Sequence, residues 1–389
     1  MKKTAFLLLI TLLCASNLHA QHSPSDIKQI ITTDFENLYK KYDDEEAFDS
    51  ILLRVNGYIG DVEKRYQSSP TATGLCEAAV WHSYKGSLLS NILEQQRWMI
   101  SSRTQTESAS GSDWKTWDII TFERKILEEF YTSLKDKDAF IATSSKDYLQ
   151  LFEMPDEKEC YPNLYDLLAY RFADHLSNFS STSPRPAEEF NLNQMDYFGT
   201  QLPDLSTKDS LSTHFHFFKT LQEIEKEHLN DMEADFRLYN RLVRLNYVRQ
   251  NSQLENRDEL YLAALLILKE DCKPASNIIK QLVYYSLGSF YHGRGNNSRE
   301  HPDDFITAIS WYEKALELIA GNSCAKICRE NIDKIKEQNW ALHLADGVIY
   351  PEDNLLCAYS KECDKLYWAV VRYTDTFDKY HKADEKITL

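Results

Sequence analysis

Apolar residues recur every three or four positions from Ile27 onward. Ile27, Ile30, Ile31, Phe35 and Leu38 fall on one face, which predicts an amphipathic helix. "YDDEEAF" opens a second one. Asp43 can cap it, Glu46 stands three residues on, and acidic side chains fill its positive first turn. Its apolar face runs through Phe48, Ile51, Leu52, Val55, Ile59 and Val62. "SSPTATG" (68–74) interrupts the period, and Leu75, Ala79, Tyr84, Leu88 and Ile92 resume it. Residues 101–113 are a polar loop. Helices are expected over 117–134 and 163–179, and over about 212–229, 232–248 and 257–268. Between them, 180–210 carries Pro184, Pro186 and Pro203. Its apolar anchors Phe190, Leu192, Met195, Tyr197 and Phe198 mark it as a wandering connection on one body, not a linker.

Beyond Cys272 the pattern becomes more specific. Tyr284, Leu287, Gly288 and Tyr291 have the offsets of the first helix of a tetratricopeptide repeat, and Ala308, Tyr312 and Ala315 have those of the second. Gly and Ala let two helices approach, and the aromatics fill the gaps. The fit requires about eight extra residues in "HGRGNNSREHPDD". One repeat cannot bury its own face, so the preceding helices read as degenerate repeats stacked on it. After Gln338 the period changes to two. Trp340, Leu342 and Leu344 alternate with Ala341 and His343, turn residues follow at 346–347 and 351–354, and two more strands come after. Residues 1–20, with two lysines and an apolar run from Ala5 to Leu13, read as a secretory signal. The expected organisation is therefore a signal at 1–20, a mainly α, tetratricopeptide-like helical array at 21–338, and a partial β-sandwich at 339–389.

The net charge of −16 becomes more negative once Lys2 and Lys3 leave with the signal. Such a chain repels nucleic acid and anionic lipid. No later stretch approaches eighteen apolar residues, so no membrane span is expected. Cys14 follows Leu13 and is a poor match to a lipidation site. Of the other cysteines, Cys357 and Cys363 flank a plausible turn and could pair across a hairpin, or simply be small half-buried residues.

Four stretches resemble the N-terminal end of the long alpha-2-macroglobulin-family proteins of Bacteroidetes-type bacteria: "NLYDLLAYRFADHL" (163–176), "LYNRLVRLNYVRQNSQLENRDELYLAAL" (238–265), "YYSLGSFYHGRGN" (284–296) and "ALHLADGVIYPEDNLLCAYSKECDKLYWAVVRY" (341–373). The resemblance implies a helical region leading into macroglobulin β-sandwiches, of which 339–389 would be the truncated first. A whole sandwich needs about 100 residues. It also implies export to the periplasm or outer membrane and a protein partner, either a protease or a cell-envelope protein. The family's thioester motif C-x-E-Q is absent ("CEAA" at Cys76 lacks the Gln), and its bait region would lie downstream.

Other chemistry is weakly signalled. Cys324 and Cys328, one helical turn apart, read as small core residues. His214 and His216 would diverge on a helix, and they read as solvated or capping residues with no third metal ligand. No H-E-x-x-H, G-x-S-x-G or phosphate loop occurs. The expectation is a non-enzyme without cofactor: a protein-interaction scaffold or, alternatively, a stand-alone periplasmic module binding peptide or glycan. The tryptophans are mainly expected in the core.

Overall fold

The capping signals fix where the helices begin. In the computed structural model, Ser23 and Asp26 form a reciprocal capping box, with Ser23 N–H donating to Asp26 Oδ2 at 2.8 Å. Helix α1 (Pro24–Gln29) starts there. It continues through a π-helical stretch, Ile30–Phe35, into α2 (Glu36–Lys41). Asp43 caps α3 (Asp44–Ser68) by accepting from Glu46 N–H at 2.9 Å. Thr71 caps α4 (Ala72–Gln95). After the short α5 (Arg97–Ser101), Asp118 caps α6 (Ile119–Ser133), α7 is Lys137–Ile141, and Asn163 caps α8 (Leu164–Asn178). Ser212 caps α9 (Thr213–Glu227). Helices α10 (Asp235–Asn251), α11 (Arg257–Asp271), α12 (Asn277–Gly295), α13 (Asp304–Leu318) and α14 (Ser323–Lys336) follow.

The described residues are 21–103, 113–152, 161–179, 181, 186–229, 234–296, 301 and 303–337, with the backbone of two strands beyond. The protein is mainly helical, as its periodicity predicts. Strand β1 (Ala341–Leu344) pairs antiparallel with β2 (Leu356–Tyr359), with His343 opposite Cys357. Cys363 lies outside the described residues, as do the signal-like segment 1–20 and the expected 338/339 boundary.

The chain divides into two compact units, Met1–Leu287 and Gly288–Leu389. In the first, α4 packs on α3, α6 and α8. Helix α8 packs on α9, α9 on α10, and α10 on α11. Each helix leans mainly on sequence neighbours, as in a helical repeat array. The apolar stripe of α3 is buried as expected: Phe48, Ile51, Leu52, Val55, Ile59 and Val62 all face the core. The connection before α9 is anchored by Leu192, Tyr197 and Phe198. Met195, expected among the anchors, is exposed at the start of a 3-10 turn, Met195–Phe198. In the second unit α13 packs on α14.

Candidate functional site

Close helix contacts in the second unit centre on Gly288. A Cβ there would stand 2.7 Å from two carbons of the Tyr312 ring, well inside contact distance. Ala308, Tyr312 and Ala315 are fully buried along one face of α13. The Tyr312 hydroxyl accepts from Asn331 Nδ2 of α14 at 3.3 Å, so one aromatic joins three helices. Leu287 is fully buried, whereas Tyr284 and Tyr291 are partly exposed and Phe290 is buried. Helix α4 uses the same device in the first unit, where a Cβ on Gly86 would stand 2.9 Å from the Phe130 ring. No repeat motif marks Gly86, although a glycine inside a long helix generally has a packing reason.

Replacing Gly288 by alanine is expected to destabilise the protein. Displacing the Tyr312 ring costs about 1–3 kcal/mol, against a gain of about 1 kcal/mol in helix propensity. Gly60, with nothing within 4 Å of its Cβ position, is the control. Gly60→Ala should raise the melting temperature, while Gly288→Ala lowers it. Equal effects would remove the close-approach role.

Polar chemistry in the first unit gathers on α4. Its Glu77 carboxylate is buried. It accepts from His22 N–H at 3.2 Å, from His22 Nδ1 at 2.9 Å, and from Arg65 Nη2 at 3.1 and 3.0 Å on its two oxygens. One turn on, Trp81 is wholly buried and stacks on Tyr58 at 4.8 Å between ring centres. Phe35, at the end of the π-helical stretch, lies 5.7 Å from Tyr84, the next aromatic along α4. An open cleft of 640 Å³ lies beside this cluster, lined by Gln21, Asp61, Arg65 and Tyr66 among others. From α6, Glu129 meets His82 Nδ1 and Lys85 Nζ of α4 at 2.6 Å each. Burial alone would raise the Glu129 pKa, but the bond from His82 and the Lys85 charge prevail and hold it below the ordinary carboxylate value.

On its α8 side, α4 presents Ser83 and Ser87, one turn apart. Arg171 of α8 donates from Nε to Ser83 Oγ at 3.1 Å and from Nη2 to Ser87 Oγ at 2.9 Å. Its guanidinium lies 3.7 Å from the centre of the Phe152 ring. Protein atoms crowd the group, yet part of its surface still meets solvent. Burial pulls its pKa down to about 10, with Asp174 and Tyr84 acting the other way.

Of the two histidines singled out by sequence, His216 is buried and His214 is half-buried. His216 accepts from the Tyr131 hydroxyl at Nδ1 (2.6 Å) and donates from Nε2 to Ser210 O (2.9 Å). The carbonyl can only accept, which fixes this tautomer. His214 meets the Tyr247 hydroxyl at 2.7 Å. The rings diverge, as helical spacing predicts, and each meets a tyrosine, Tyr131 on α6 for His216 and Tyr247 on α10 for His214. Cys324 and Cys328 are buried thiols, the expected core role. A further histidine, His228, reaches both oxygens of the buried Asp166 at 3.0 and 3.1 Å, tying α8 to the end of α9. Among the described residues no cluster of His, Cys, Asp and Glu could hold a metal ion, and no helix is long and apolar enough to cross a membrane.

No protein-family model, curated protein or solved structure matches this chain. Function therefore rests on the site geometry and on the sequence resemblance. Trp81, Trp114 and Trp117 lie in the core as expected, whereas Trp98 at the start of α5 is 88% exposed. The sequence carries no mark of Arg171 or Arg244, because their partners are serines, carbonyls and a glutamate brought in from distant segments.

Proposed function

We propose that the chain is a non-catalytic helical scaffold for protein interaction, the front of an exported alpha-2-macroglobulin-like, protease-trapping protein. The observation that carries this reading is the ring-over-glycine contact of Tyr312 on Gly288. It builds the close helix pairing on which tetratricopeptide-type binding surfaces depend. The partner would be a protease or a cell-envelope protein. Translating the DNA beyond the codon for Leu389 tests the assignment. Continued alternating strands in blocks of about 100 residues are expected. Their absence in every frame would sink the macroglobulin reading.

A stand-alone binding module for peptide or glycan is the second reading, and the exposure of Trp98 favours it. A sugar ring stacks on such a face. On this reading Trp98→Ala abolishes binding on a glycan array and leaves the melting temperature within about 1 °C, since the side chain buries almost nothing. An array on which the wild-type protein binds nothing excludes the glycan form.

A further inference from the structure

Some arginines of the fold are matched to carboxylates, while Arg103, Arg257 and Arg329 donate to backbone carbonyls. Arg65 has Glu77, Arg241 has Asp271, Arg244 has Glu225 and Arg249 has Asp258, all within 3.1 Å. Arg171 has none. Two neutral hydroxyls and one aromatic face hold it, Asp174 acts only at a distance, and among the described residues neither a carboxylate nor a partner for Nη1 contacts it. Leaving a cation in a desolvated setting without an anion is costly. Hydroxyls and a ring face offset only part of that cost.

We propose that Arg171, fixed by Ser83, Ser87 and Phe152, is a binding site for the carboxylate of a ligand, taken on the open edge of its guanidinium. The choice of anion follows from charge and shape. One cation matches a monoanion, and a guanidinium edge fits the flat carboxylate. His175, one turn further on α8, is a basic group close by, and it stays neutral at pH 7 because burial depresses its pKa to about 4. A phosphate dianion would therefore be left half compensated. Tyr84 lies within electrostatic reach, and burial raises its pKa, so it remains a neutral hydroxyl. The serine and phenylalanine contacts hold the guanidinium in place, so little ordering entropy is lost on binding. The site does not depend on the macroglobulin assignment, which the downstream DNA tests separately.

Isothermal titration of the full chain decides the matter. The probes are acetate, an N-acetylated dipeptide with a free C-terminal carboxylate, the same dipeptide as its amide, and inorganic phosphate. The free-carboxylate dipeptide is expected to bind at least about tenfold more tightly than its amide, the worth of one charge-assisted pair. Arg171→Met should erase that difference. Ser87→Ala, which leaves the cation in place and keeps the core intact, should weaken carboxylate binding about threefold. Binding of acetate as tight as that of the dipeptide places the source in free organic acids and still supports the site. Equal affinity for carboxylate and amide, tighter binding of phosphate, or no binding of any probe up to about 10 mM overturns the proposal.

Discussion

Replacing Glu225 by alanine is expected to lower the unfolding free energy by about 3–5 kcal/mol, the usual cost of breaking a buried ion pair from one side. Arg244 is fully buried on α10. Its Nε donates to Glu225 Oε2 of α9 at 3.1 Å, Nη1 to Tyr197 O at 2.7 Å and Nη2 to Gly199 O at 3.0 Å. One guanidinium therefore joins two helices to the connection that precedes them. Burial already presses the Arg244 pKa downward, with Glu225 working against it. Without the carboxylate the cation keeps two carbonyl dipoles but no counter-charge. Arg244→Ala should cost a similar amount, because it leaves a buried carboxylate and two unsatisfied carbonyls. Replacing both residues by methionine should cost much less than the two single changes together, since no charge is then stranded. Urea unfolding of the four proteins makes the comparison. Single variants within about 1 kcal/mol of wild type would show that the clamp is not what holds the connection.

What the sequence could announce and what it could not follow one physical line. Local signals were legible. Asp43 caps α3 with Glu46 in its first turn, the stripe from Phe48 to Val62 is buried, and the break expected at 68–74 falls at 69–71, between α3 and α4. The Gly288–Tyr312 contact was also readable, because each helix of a repeat carries its own fixed offsets, even with extra residues between the two. The clamps were not. Arg244 finds Tyr197 O across 47 residues and Arg171 finds Ser83 across 88, and nothing in a local window specifies either pairing. His216 shows the same limit. Its helical position was clear, but whether water or Tyr131 faces it depends on how α6 packs. Met195 had an anchor's composition and a turn's exposure.

Acidification is expected to destabilise the protein well before its carboxylates titrate, and His175 is the main cause. Its ring lies between Phe130, at 4.9 Å, and Phe179, at 5.1 Å, with Arg171 one helical turn before it. Desolvation first, and then the like charge of Arg171, depress its pKa to about 4. An unfolded histidine titrates near 6.5. Above that value both states are neutral and the full stability is present. As the pH falls, the unfolded chain takes up the proton first, so stability is lost between about 6.5 and 4. The difference amounts to about 3 kcal/mol. His216, also depressed by burial, adds to the loss in the same direction. Glu129 acts in a lower range, because its carboxyl is held below the ordinary value and protonates only in stronger acid. His175→Phe keeps the aromatic stack and removes the titration. Urea unfolding at intervals from about pH 7 to 4.5 should therefore fall steeply for the wild-type protein and much less for the variant. Equal slopes for the two proteins would locate the acid sensitivity elsewhere and deny His175 its buried, neutral state.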